Sequence, residues 1–494
     1  MTAPAFRIDD VPVDRDAFYA AACDPARSCA VEACAGSGKT WILVSRMLRA
    51  LLEGAAPHEI LAITFTRAAA GEMRQRLGEW LARYSAPHST HEERVLALRE
   101  RGLAPQRAEA LAPTLASLHA RVLGAGRPIE IRTFHAWFSQ LLRVAPLALL
   151  DRLGLAPDLE LIEDFEEHKP AALRAFYAAV LRDPQLRADY AALTALRGRT
   201  QLRRWLDAAW LKRVEIELAD EGGVLEDSVE PASAVWPELA RFGHPVDAML
   251  DVFWQTRLHH VVEVLGRGSR TSRDAAAALA TALANGDARR CFDQAWRALY
   301  TQEDKPRILG KAAALADTQE ALGLLATQVH QEDSCLEHLR MVRLARALLV
   351  AFADYKRERG YADMADLECC ALALLRDSEL AGWVQERLDA RVRHLLIDEF
   401  QDTSPLQWQA LHAWLAAYAG AGGGASGQRP PGVFIVGDPK QSIYRFRGAE
   451  PRVFAAAARF IREGLGGSIL ACDHTRRSAP RVLAAINAVF AGAA

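Results

Sequence analysis

Eight consecutive residues, Ala33-Cys34-Ala35-Gly36-Ser37-Gly38-Lys39-Thr40, constrain this chain more than any others. An apolar, β-compatible run from Ser28 to Ala33 leads into them. Thr40 to Glu53 then follows with the apolar periodicity of a helix that Gly54 stops. Strand, glycine loop and helix in direct succession make a phosphate cradle. The glycines let successive backbone N–H groups turn toward phosphate oxygens, the start of the helix adds the positive end of its dipole, and Lys39 supplies a point charge for the β and γ phosphates. Thr40 is placed to put its hydroxyl on Mg²⁺, so the loop implies ATP and Mg²⁺ as cofactors.

Such a loop needs a sheet around it. Ile60 to Thr64, Ile129 to Arg132, His394 to Ile397, Val433 to Val436 and Ile469 to Ala471 are short apolar runs, each followed by a polar motif. Strands of a parallel sheet read this way when helices cover both faces and the chemistry sits at their C-terminal ends. The expected fold class is therefore α/β. From about 151 to 350 the text changes to Leu, Ala and Arg in helical periods, which predicts a large all-helical domain inserted into the sheet. A shorter helical stretch, about 81–125, predicts a smaller insertion, and Gly420 to Gly432 reads as a surface loop. The expected division is thus 1–150, 151–350, 351–480 and a short final piece, 481–494.

Composition narrows the partners. With 51% hydrophobic and 25% charged residues and a mean hydropathy of -0.04, the chain folds rather than staying disordered. No apolar run is long enough to cross a membrane and the first residues carry acids, so the expectation is a cytoplasmic protein with no membrane contact. Eight cysteines show neither CxxC nor a zinc-like spacing to histidine, and read as reduced core residues. A net charge of -2 gives no global mark of nucleic-acid binding, so any such contact must be local.

Two further segments carry chemistry. Leu395 to Asp402 is an apolar strand ending in adjacent carboxylates: Asp398 can hold Mg²⁺ through water, and Glu399 can polarise the attacking water. Val433 to Ala449 is a strand that delivers Gln441, whose amide can sense a γ-phosphate, followed by the aromatic faces of Tyr444 and Phe446.

EACAGSGKT, ITFTRAAAGEMRQRL, IRTFHAWFSQLLR, LLIDEFQDTSPLQW and VGDPKQSIYRFRGAE, in this order, resemble motifs I, Ia, Ib, II and III of the UvrD-like superfamily 1 helicases. The opening and the long helical insertion look most like the AddA and RecB helicase-nuclease subunits that process double-strand breaks. The resemblance implies a RecA-like motor domain that couples ATP hydrolysis to 3′ to 5′ translocation on single-stranded DNA. It implies catalytic roles for Lys39, Asp398, Glu399 and Gln441, and single-stranded and duplex DNA as partners beside an AddB-like or RecC/RecD-like subunit. Carried over residue by residue, Thr64, Phe65 and Thr66, then Thr133, Phe134 and His135, touch the strand, while Tyr444 and Phe446 form its stacking platform. Aromatic faces stack on any base at about 1–3 kcal/mol each, which suits binding without sequence reading. Arg67 and Arg74 lie near that path.

The chain also departs from the pattern. Asp14-Arg15-Asp16-Ala17-Phe18 stands where an adenine-reading Gln is usual, so adenine selectivity is not implied. His474 to Ser478 resembles motif IV, with Arg477 matching the arginine that approaches the γ-phosphate, but Thr475 and Arg476 replace the usual Asn and aromatic residue. Pro480 to Ala494 reads as one helix, and motifs V and VI, the second RecA-like lobe and a nuclease domain are not in the sequence. The expectation is a chain that binds ATP and single-stranded DNA and unwinds little alone. The alternative is an ATP-gated single-strand clamp without motor function.

Overall fold

The computed structural model describes residues 5–143, 145, 150, 159–162, 165–376, 392–419, 430–444, 448–477 and 479–490. The chain forms two compact units, residues 164–359 and the sequence on either side of them, 1–163 with 360–494.

The second of these carries an eight-stranded sheet. Its strands are β1 (Phe6–Ile8), β2 (Val11–Pro12), β3 (Cys29–Ala33), β4 (Ile60–Thr64), β5 (Glu130–Thr133), β8 (His394–Ile397), β9 (Gly432–Gly437) and β10 (Ser468–Cys472). A separate parallel pair joins β6 (Glu160–Leu161) to β7 (Tyr361–Ala362). The order in the sheet is β2-β1-β10-β3-β9-β8-β4-β5, with every pairing from β10 to β5 parallel. The sheet is therefore the α/β one read from the sequence. β5 is displaced by one residue from the expected Ile129 to Arg132, and helix α2 (Lys39–Leu52) starts one residue earlier than expected.

β1 and β2 are an antiparallel hairpin at one edge, and no periodicity announced them. Their link is Asp9-Asp10, both at positive φ (48° and 65°), a conformation that short polar side chains tolerate. The Asp9 carboxylate accepts from Ile469 N at 2.8 Å, which ties the turn to β10.

α2 is buried on nearly every side, since it lies between the sheet and other helices. Two of its arginines are inside. Arg46 donates to the carbonyls of Ala22 and Arg27 and lies 4.8 Å from the Phe434 ring; Arg49 reaches the carbonyls of Ala20 and Arg101. Helices α3 (Arg67–Ser85), α4 (His91–Glu100) and α5 (Pro105–Gly124) fill the crossover between β4 and β5 and share one core with α2. At the end of α4 the Arg101 guanidinium, 2% exposed, lies 4.3 Å from the Trp80 ring, 5.3 Å from Trp41 and 5.5 Å from Tyr84. Three aromatic faces and the Ala97 carbonyl (2.6 Å) compensate the lost hydration of that cation.

The unit 164–359 is helical. Its longest helix, Ala313–Arg359, has 47 residues and serves two cores, one around Phe176, Trp210 and Phe352 and one around Trp254, Leu258 and Leu322. Beside the first of these cores Arg343 forms a fork on Asp189, at 2.7 and 3.0 Å.

Gly102 is a tight joint in the sheet unit. Its φ is +78°, and an added Cβ would lie inside contact distance of the Ala20 backbone and 2.6 Å from the Tyr19 carbonyl carbon. Gly102→Ala is expected to cost at least about 1–3 kcal/mol from the left-handed backbone alone, with overlap added, read as a lower denaturation midpoint. An unchanged midpoint would show that α1 (Arg15–Ala22) does not bear on this turn.

Candidate functional site

The loop between β3 and α2 folds around two left-handed glycines, Gly36 (φ 77°) and Gly38 (φ 97°). Gly36 is required twice over, because a Cβ there would also meet Thr475 Oγ1 at 2.5 Å and Arg477 Cβ at 2.7 Å. The 475–477 stretch is held on the loop by Arg476 N, which donates to Gly36 O at 2.8 Å. Arg476 also donates to the Tyr19 hydroxyl at 2.8 Å, and its guanidinium lies 5.5 Å from the Tyr19 ring. Within the loop Cys34 N bonds Cys472 O, while Ser37 Oγ is buried with no partner among the described residues. Burial, helped by the charges of Asp473 and Asp438, pushes the Cys34 thiol up.

The acids arrive from two strands away. Lys39 Nζ donates to Glu399 Oε2 at 2.9 Å, joining residues 360 positions apart. Asp398, 6% exposed, sits at the end of β8, where its amide bonds Ile63 O at 2.8 Å. Glu399 has φ 48°, a left-handed backbone unusual for glutamate and a strain of the kind that collects at functional sites.

Gln401, 2% exposed and given no role by the sequence reading, links the pieces. Its Nε2 donates to Glu399 Oε2 at 2.8 Å and its Oε1 accepts from Asp438 N at 2.9 Å. Gly437 has no side chain because that amide occupies the space. Asp438 in turn accepts from the side chain of Gln441, so the acid pair and the γ-phosphate candidate share one hydrogen-bonded chain. A signal for Gln401 existed: a polar residue directly after two acids and an aromatic.

Burial, and then the charge of Glu399, pushes Asp398 up to about 7; the same two causes push Asp402 up to about 6. Among the described residues no group of three or more His, Cys, Asp or Glu could hold a metal ion. One carboxylate and one hydroxyl, Asp398 and Thr40, suit Mg²⁺ that keeps its waters and arrives with phosphates.

The strand-contact candidates separate into kinds. Phe65, one residue past β4, and Tyr444, in the segment that follows β9, meet at 4.4 Å between ring centroids as one aromatic surface. Thr64 is fully buried and its Oγ1 has no partner among the described residues. Thr66 and Thr133 cap the helices that follow them, accepting from Ala69 N (3.0 Å) and Ala136 N (3.3 Å). Phe134 is a correction: it is 4% exposed and packs on Phe138 at 5.9 Å, so its ring belongs to the core and offers no face to a base. His135 is engaged too, 3.0 Å from Glu368, a buried carboxylate that also accepts from Ser404 and Gln407. Arg74 donates to Ile131 O at 2.8 Å. Arg477 is exposed beside Gly36, and Phe446 lies outside the described residues.

The UvrD/REP helicase N-terminal domain family matches residues 15–461. An ATP-dependent helicase/nuclease subunit of Geobacillus thermodenitrificans is 28% identical over 94% of this chain and 38% of its own length. The corresponding subunits of Geobacillus kaustophilus (29%, 94% and 38%) and Listeria monocytogenes (25%, 93% and 38%) are similar to the same extent. The chain thus spans about two-fifths of these curated relatives. Among the described residues no helix is long and apolar enough to cross a membrane.

The raised carboxyls set a pH dependence. Folded Asp398 holds its proton to about pH 7, whereas in the unfolded chain it loses it near 3.8, so the folded form binds more protons in between. Without Mg²⁺ or nucleotide, stability should fall as pH rises from about 4 to about 7, and Asp402 acts in the same sense over a narrower window. Asp398→Asn should flatten that fall and raise the melting temperature at about pH 8. A variant that melts lower there would refute the buried-charge account.

Proposed function

Because the chain belongs to the UvrD/REP helicase N-terminal domain family, we propose that it is the ATP-hydrolysing, strand-holding lobe of a DNA motor of the helicase/nuclease kind. In this reading it couples ATP hydrolysis to 3′ to 5′ movement along single-stranded DNA in double-strand break repair, beside an AddB-like partner. The observation that carries the proposal is the 2.9 Å contact of Lys39 with Glu399, which puts the phosphate cradle and the acid pair in one site.

The geometry supports the following roles. Backbone N–H groups of 35, 36, 38 and 39 donate to phosphate oxygens, and Thr40 with Asp398 would hold Mg²⁺, which would supply positive charge against the phosphates. A γ-phosphate competes with Glu399 for the Lys39 ammonium, so its arrival frees the carboxylate to orient and accept a proton from the attacking water. Glu399 also holds Gln401, which bonds Asp438 and through it Gln441. That chain leads in three residues to Tyr444, whose ring touches Phe65. Hydrolysis and the grip on bases are therefore mechanically adjacent. Arg477, beside Gly36, is poised to report the same phosphate.

Lys39→Ala should abolish ATP turnover while oligo-dT affinity stays within about twofold, measured by ATPase assay and fluorescence anisotropy; joint loss would indicate a folding defect. Tyr444→Ala should weaken oligo-dT binding by about 1–3 kcal/mol and lower the DNA-stimulated ATPase before the basal rate. Wild-type ATPase that single-stranded DNA does not stimulate would instead favour the clamp without motor function.

A further inference from the structure

A cavity of about 420 Å³ opens along the outer edge of β5, the last strand of the sheet. Its charged lining comes from separate elements: His58 precedes β4, Arg74 is on α3, Arg127 is in the turn before β5, and Glu130 and Arg132 are in β5 itself. Three arginines and one glutamate line it, and Arg132 Nε engages the Glu130 carboxylate at 3.3 Å. With His58 neutral the cavity keeps two positive charges, in a chain whose net charge is -2. The concentration of cation is local, as a chain with no global positive charge requires if it is to hold a polyanion.

The arginines are also positioned. Arg74 is fixed by its 2.8 Å bond to Ile131 O, which leaves the rest of its fork for a ligand. Gly126, at φ 70°, makes the turn that brings Arg127 and Pro128 to the cavity. Planar forks converging from several elements suit phosphate oxygens, which they meet two at a time.

We infer that this cavity is a second, purely electrostatic DNA site that holds sugar-phosphate backbone of the single strand beyond the aromatic platform. The inference rests on the DNA-motor reading above. Continuity selects DNA over an acidic peptide. The two elements that supply Arg74 and Arg132 are α3, capped by Thr66, and β5, which ends at Thr133. Arg132 is one residue, about 3.3 Å of strand, from Thr133. Arg74 is eight residues, about 12 Å of helix, from Thr66. A backbone leaving the end of β5 therefore reaches Arg132 first and, running back along the strand, Arg127 before its start last, whereas an acidic peptide would need to arrive independently.

The test is the salt dependence of oligo-dT binding by the full chain, for wild type and for Arg127→Ala with Arg132→Ala. Each single-strand phosphate contact contributes roughly 0.7 to the slope of log K against log salt. The double variant should lose about 1.4 of that slope, equally on dT and mixed-sequence oligomers, while Arg127→Lys with Arg132→Lys should keep it. Arg127→Glu alone, at an exposed position, repeats the test without touching the Arg132 pair. An unchanged slope in these variants overturns the inference, as does an unchanged slope with lost binding of an oligoglutamate peptide, which would assign the cavity to an acidic protein segment. If wild type binds no oligo-dT at all, the motor reading fails and this inference fails with it.

Discussion

The ion pair between Lys39 and Glu399 is the contact on which the rest of the arrangement depends. Lys39 opens the helix after β3 and Glu399 follows β8, with β9 between those strands in the sheet. Only a parallel sheet with its C-terminal ends on one side places them within 2.9 Å. In the proposed reading a phosphate would compete with Glu399 for the Lys39 ammonium. Gln401 extends this competition into β9, because one amide bonds both Glu399 and the Asp438 backbone.

Around that contact the molecule places charge in its interior. Arg46 and Arg101 are each 2% exposed and are satisfied by carbonyls and aromatic faces. Burying a guanidinium costs several kcal/mol unless its donors are met and its face is covered. The return is directional: Arg46 ties α2 to the carbonyls of Ala22 and Arg27, and Arg101 fixes the end of α4 on Trp41, in the first turn of the same helix. Helix α2 is thereby held by groups that tolerate few geometries. The crossover helices between β4 and β5 belong to this support, since they share the core of the sheet.

The strands were legible because each is a short apolar run bounded by a polar motif, and a residue buried on both faces leaves little alternative. The β1–β2 hairpin was not, since three and two residues give no period to read. At the site, Lys39, Asp398, Glu399 and Gln441 were legible as motif residues, and the structure brings them into one hydrogen-bonded group. Phe134 and His135 show where such reading stops. An aromatic and a histidine after a strand look alike whether they face solvent or the interior. At these positions helix α6 (Phe134–Arg143) turns Phe134 toward Phe138, while Glu368, far along the chain, engages His135.

By itself, then, the sequence determined the local chemistry: which loop can wrap phosphates, which strand ends in acids, which segments are helical. Those follow from glycine's backbone freedom, from periodicity and from residue type, all of which act over a few neighbours. Tertiary structure alone decided which groups meet. It paired Lys39 with Glu399, made Gln401 a link, set Phe65 against Tyr444, withdrew Phe134 into the core and gathered three arginines at the edge of β5. Those outcomes depend on strand order and on the space left between packed elements, quantities set by the whole chain at once.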